Sequence, residues 1–127
     1  MRARILVVDD EKEVRELLAE ILASEDHEVQ TSPDGTQGLV LFSHDHFDIV
    51  FTDLGMPGIS GWQVAEEVKK INNTTPVAVI TGWEVKLDPS ELKKRGVDFL
   101  VNKPFQIQQM LMLVEKGMAL KENPGNE

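Results

Sequence analysis

A chain of 127 residues is the length of one domain, and a hydrophobic content of 41% is enough for a single core of ordinary size. With 22 acidic against 13 basic residues the net charge is −9, and so acidic a surface repels phosphodiester backbones, which argues against direct nucleic-acid binding. No cysteine is present, which excludes a disulfide scaffold, a thiolate nucleophile, a zinc-thiolate site and an iron–sulfur cluster. Ile5 to Val8 is too short an apolar run for a signal-peptide core or a membrane span, so a soluble, cytoplasmic domain with no membrane contact is expected.

The first apolar run, Ile5-Leu6-Val7-Val8, reads as a strand. Val14, Leu17, Leu18, Ile21 and Leu22 then follow helical spacing. Val29-Gln30-Thr31 is a weaker, more polar strand suited to an edge. A short helical stripe follows at Leu39 and Phe42. Ile49-Val50-Phe51-Thr52 is a third strand, and Val64, Ala65, Val68 and Ile71 a third helix. After the strand Val77-Ala78-Val79-Ile80, Asp88-Pro89-Ser90-Glu91 reads as an N-cap, a first-turn proline and a capping box. That helix stops at Gly96, behind the basic turn Lys93-Lys94-Arg95. Phe99-Leu100-Val101 is the fifth strand. Ile107, Met110, Leu111, Val114 and Met118 stripe the last helix, with Met112 and Leu113 off that stripe. The folded domain is expected over residues 1–120, with 121–127 a flexible tail or the start of a linker.

Strand and helix alternate five times, which demands crossover connections and a doubly wound α/β fold with a parallel sheet. Such sheets bind ligands beyond the carboxyl ends of their strands. The residues there are Asp9, Asp10 and Glu11 after the first run, Asp53 after the third, Thr81 after the fourth and Lys103 after the fifth. Taken singly, an acid behind a strand more often caps the next helix. Together they are a carboxylate nucleophile, oxygen ligands for a hard divalent cation such as Mg²⁺, a hydroxyl donor and an ammonium. Those are the parts that stabilise a phosphoryl group in transfer. His44, Asp45, His46 and Asp48 are expected to be a solvated loop rather than a second metal site.

The strings Val7-Val8-Asp9-Asp10-Glu11, Asp53-Leu54-Gly55-Met56-Pro57-Gly58-Ile59-Ser60-Gly61, Ile80-Thr81-Gly82, Gly96-Val97-Asp98 and Lys103-Pro104-Phe105 resemble those of a response regulator receiver domain, chemotaxis-receiver-like, over about residues 3–120. The resemblance implies a flavodoxin-like fold, with five parallel strands in the order 2-1-3-4-5 and helices on both faces. It makes Asp53 the phosphoacceptor for a sensor histidine kinase or phosphotransfer protein. It implies Mg²⁺ held by Asp9, Asp10, Asp53 and the main-chain carbonyl of Gly55. Thr81 would bond the transferred phosphoryl group, and Lys103, joined to Pro104 by a cis bond, would pair with it. The domain would modify itself and lose the group again, without being an enzyme in the ordinary sense. The new charge would change the surface offered to a downstream protein or output domain, or to a second copy through the fourth helix, fifth strand and fifth helix.

Two departures bear on switching and lifetime. The position three before Lys103, where the family carries a switching aromatic, is Leu100, and Phe99 is its neighbour. Gly55 offers no side chain to orient a hydrolytic water. Trp83, two after Thr81, either shields the phosphoryl group and slows its loss or lies on the surface without effect.

A haloacid-dehalogenase-like phosphatase also uses an Asp nucleophile and Mg²⁺, but needs a second Asp where Gly55 stands. A flavodoxin-like electron carrier needs a phosphate loop where Asp9-Asp10-Glu11 would repel the cofactor. No Gly-x-x-x-x-Gly-Lys-Ser/Thr loop is present, which excludes a P-loop NTPase. A pseudo-receiver that only docks partners is the remaining alternative.

Overall fold

A computed structural model of the chain describes residues 2–122. Its elements run β1 (Arg4–Val8), α1 (Lys12–Ala23), β2 (Glu28–Ser32), α2 (Gly35–His44), β3 (Ile49–Asp53), α3 (Gly61–Ile71), β4 (Val77–Thr81), α4 (Pro89–Lys94), β5 (Phe99–Asn102) and α5 (Ile107–Glu122). All strand pairs are parallel, in the order β2-β1-β3-β4-β5. The expected doubly wound sheet is therefore present, and the polar second strand lies at an edge. No helix among the described residues is long and apolar enough to cross a membrane.

Alternation along each strand divides the core in two. Ile5, Val7, Ile49, Phe51, Ala78, Ile80 and Val101 face α1 and α5, meeting Leu18, Leu22, Met110 and Val114. Leu6, Val8, Val50, Val77 and Val79 face α2 and α3, meeting Phe42, Val64, Ala65 and Val68. Both faces of the central strands are covered, which is why their sequences are continuous apolar runs. Period two also separates Leu100 from Phe99. Leu100, like Val85 and Leu92, packs against the α2–α3 core, whereas Phe99 packs on the α1–α5 face. Phe99 thus cannot stand in for an aromatic at position 100.

Local signals set the boundaries. Ser60 and Gln63 form a capping box at the start of α3, and Asp88 with Glu91 forms another at α4, behind which Pro89 opens the helix. Such caps are each worth about 1 kcal/mol. Gly96, at φ +82°, ends α4 in the left-handed conformation that glycine adopts without strain.

Two expectations are corrected. Leu113 is buried in the α1–α5 core instead of lying off the stripe, while Met112 is exposed. Leu17, Ile71 and Ile107, at the margins of their stripes, are exposed because the sheet covers less than the full apolar arc. The loop before β3 keeps His44, Asp45 and His46 exposed, as expected, and it also clamps β1. Asp45 binds the Arg4 guanidinium, and Asp48 accepts from the Arg4 N–H at 2.8 Å and from Lys121 Nζ at 3.0 Å. Helix α5 also continues two residues past 120. The remainder of the expected tail, 123–127, lies outside the described residues.

Candidate functional site

Register alone brings the predicted residues to one rim. Val8 pairs with Thr52, so Asp9 and Asp53 are the next residues on adjacent strands. Asp53 pairs with Ile80, and Thr81 with Asn102, which places Lys103 next beyond it. The result is a cluster in which one carboxylate oxygen each from Asp9, Asp10 and Asp53 lies within 4.8 Å of the others. Lys103 Nζ stands 3.2 Å from Asp53 Oδ1 and 3.8 Å from Glu11 Oε1. The Lys103–Pro104 bond is cis, as expected. Thr81 is buried at the end of β4, and its Oγ1 accepts from the Trp83 N–H at 2.9 Å, leaving the hydroxyl proton to donate.

The acids are not spent on capping. Glu11 is the N-cap of α1 but makes no side-chain cap. Asp9 is 1% exposed, and its Oδ1 accepts the Glu11 N–H at 2.8 Å. Its Oδ2 is buried with no partner. A buried carboxylate oxygen without a donor costs free energy unless a cation satisfies it. Burial pushes the Asp9 pKa up to about 6, and the Asp53 and Asp10 charges push the same way against the Glu11 N–H and Lys103. Burial likewise raises Asp53, against its bond to Lys103. Burial opposes the Lys103 charge, yet the bond and charge of Asp53, then Asp9 and Glu11, hold its pKa above the ordinary lysine value. Three crowded oxygens with one orphaned acceptor suit a hard divalent cation.

The loop after Asp53 explains its own sequence. Leu54 N–H donates to Ile80 O at 2.9 Å, fixing the loop's start against β4. Met56 is buried in the α2–α3 core. Gly58 has φ +81°. At Gly61 a Cβ would collide with the carbonyl oxygen of Asp53, so α3 begins hard against the strand that bears it.

Every predicted site residue except Gly55 thus has a side chain at this rim; Gly55 follows two residues after Asp53. Of the other candidates, His44, Asp45, His46 and Asp48 form no metal-holding group among the described residues. One contributor, Arg15, and one contact, that of Trp83 with Gly55, escaped sequence reasoning. Arg15 Nη1 donates to Asp9 O at 2.8 Å, a contact across a helix turn that no motif signals. The Trp83 indole lies on Gly55. That neighbour could have been suspected from a glycine and a large aromatic at matching places in adjacent loops.

Residues 5–115 match the response regulator receiver domain family. The chain belongs to that family, the receiver module of two-component signalling. It is 31% identical to regulatory protein AtoC of Escherichia coli over 93% of the chain and 26% of that protein. It is 33% identical to the E. coli sensor histidine kinase RcsC over 79% of the chain and 10% of that protein. Among solved structures it resembles a receiver domain protein from Clostridium thermocellum, with TM-score 0.88, 30% identity and coverage of 94% of this chain and 97% of the other. Similar modules thus occur in a regulator and in a kinase, and this chain spans between a tenth and about half the length of the curated relatives it matches.

Proposed function

We propose that this receiver domain accepts a phosphoryl group on Asp53 from a phosphohistidine donor, with a bound Mg²⁺, and later releases it by hydrolysis. The observation that carries the reading is the buried Asp53 carboxylate, with Lys103 at 3.2 Å and two further carboxylates beside it. Asp9, Asp10, Asp53 and the Gly55 carbonyl would hold the metal. When bound, Mg²⁺ neutralises charge on the carboxylates and on the transferring phosphoryl oxygens.

The residues divide the work. An Asp53 oxygen attacks phosphorus as the donor's P–N bond breaks, and the imidazole leaves. Lys103 then pairs with the phosphoryl oxygens instead of Asp53, and the Thr81 hydroxyl donates to one of them. The acyl phosphate adds roughly −1.5 to −2 charges at Asp53. Thr81 moving toward that charge carries Trp83 and the loop before α4 with it. That surface is loosely held, because α4 is a six-residue helix with no buried residue. We assign α4, β5 and α5 as the face read by an output domain, a downstream protein or a second copy. The acidic surface disfavours direct nucleic-acid contact, and the setting is cytoplasmic.

Incubation with phosphoramidate and Mg²⁺, followed by intact mass, tests this. One phosphoryl group should be gained by the parent and none by Asp53→Ala or by the parent in EDTA. Equal gain by Asp53→Ala would overturn the assignment.

A further inference from the structure

We propose that Trp83 is a positioning residue for the divalent-cation site: its indole packs on Gly55, and positions 55 and 83 form one steric unit that sets metal affinity. The inference rests on the metal reading above and deepens it.

Trp83 is 64% exposed, which by itself suggests an idle surface residue. It is nevertheless anchored twice. Its main-chain N–H donates to Thr81 Oγ1 at 2.9 Å, which fixes the backbone that carries the ring. Its ring occupies the place where Gly55 lacks a side chain: a Cβ there would meet indole Cη2 and Cζ2 at 2.7 Å and Cε2 at 3.6 Å. Optimal carbon contacts are about 3.5–4.0 Å, so the rigid ring would have to swing away. Conformation does not demand glycine here. Gly58 and Gly96 have positive φ, whereas Gly55 does not. What demands glycine at 55 is the indole.

The consequence falls on the backbone. Glycine is the residue with the most freedom to lose, and Gly55 is the one whose carbonyl is to face the cation. Leu54 just before it is pinned to β4 through Ile80 O. The indole, reaching over from the loop after β4, restrains the next residue. Outer groups that orient metal ligands typically change affinity by about 10–100-fold when removed.

Calorimetric titration of the full chain with Mg²⁺ tests the pairing, with thermal melts to check folding. Trp83→Ala should bind about tenfold more weakly than the parent, at the lower end of that range. Gly55→Ala should weaken binding in the parent, because it expels the indole. In the Trp83→Ala background the same change should tighten binding, because alanine stiffens a glycine backbone with nothing to collide with. A merely structural role for Trp83 predicts no such reversal of sign. Unchanged affinity in Trp83→Ala, or the same effect of Gly55→Ala in both backgrounds, sinks the proposal while leaving the metal reading intact. Failure of the parent to bind Mg²⁺ sinks both.

Discussion

Aspartates stand at both ends of this sheet, half-buried at the amino ends and buried at the carboxyl ends, in opposite circumstances. At the amino ends, Asp48 precedes β3 and Asp98 precedes β5. Asp98 Oδ2 accepts from Lys69 Nζ at 2.7 Å and from the Val77 N–H at 2.8 Å. Asp48 accepts from the Arg4 N–H and Lys121, with His46 at 3.0 Å. Burial works against the Asp48 charge, yet those bonds hold its pKa below the ordinary value. At the carboxyl ends, Asp9 and Asp53 are held above theirs, and one Asp9 oxygen has no partner. The same side chain is a satisfied latch at one end and an unsatisfied acceptor at the other. On the function proposed above, the unpartnered Asp9 oxygen marks where the cation would bind.

The largest break in this contrast comes from the latch. Asp98→Ala leaves the Val77 N–H without its acceptor and strips the Lys69 ammonium of its counter-charge, with the Thr75 carbonyl still accepting from it, and should destabilise the fold by about 2–4 kcal/mol in urea unfolding. A loss within experimental error would mean that the latch is ornamental. Asp9→Asn should act in the opposite direction. It removes a like charge from the crowded rim and should stabilise the metal-free domain by roughly 1 kcal/mol. Saturating Mg²⁺ should then narrow the gap, because the cation binds the folded parent more tightly than the variant. Destabilisation by Asp9→Asn without metal would contradict the account of the rim.

Much of this was legible beforehand, for a physical reason. Continuous apolar runs separated by helical stripes admit few parallel topologies, and every such topology brings strand ends to one rim. Asp9, Asp53, Thr81 and Lys103 could therefore be placed on one rim from position alone, while the strand order that makes them neighbours came with the family resemblance. The latches were not legible. Asp48 and Asp98 sit in loops where an acid is ordinarily solvated, and only tertiary packing brings Lys121 and Lys69 to them. Leu113 lies off the strict helical stripe of α5, and only its packing in the α1–α5 core shows that it is buried. The seating of Trp83 on Gly55 needs the distance between two loops, which no spacing along the chain encodes.

A smaller effect sharpens the contrast through pH. Because the folded pKa of Asp48 lies below its ordinary value of 3.8, the contribution of its ion pair is complete above about pH 4. It is lost as pH falls through the folded value. Asp48→Asn keeps an acceptor for the Arg4 N–H but loses the attraction for Lys121. Its melting temperature should lie below the parent's at pH 7, and the two should converge as pH falls below the ordinary carboxylate value. A gap that widens with acidification would give Asp48 the wrong sign.

The smallest expected effect concerns how long the rim keeps its cargo. Gly55 contributes no group to orient a hydrolytic water, and on the function proposed above the indole seated on Gly55 would shield the phosphoryl group. Trp83→Ala should therefore shorten the acyl-phosphate half-life several-fold, read by acid-quenched intact mass after removal of the donor. The sign discriminates between two roles of one side chain. If the indole only orders the Gly55 carbonyl, its loss weakens the metal, and because Mg²⁺ assists hydrolysis as well as transfer, the phosphoryl group should persist longer at limiting Mg²⁺. If the indole also excludes water, the half-life should remain shorter than the parent's at saturating Mg²⁺, where both proteins are fully loaded. An unchanged or longer half-life under that condition removes the shielding role and leaves Trp83 with the metal site alone.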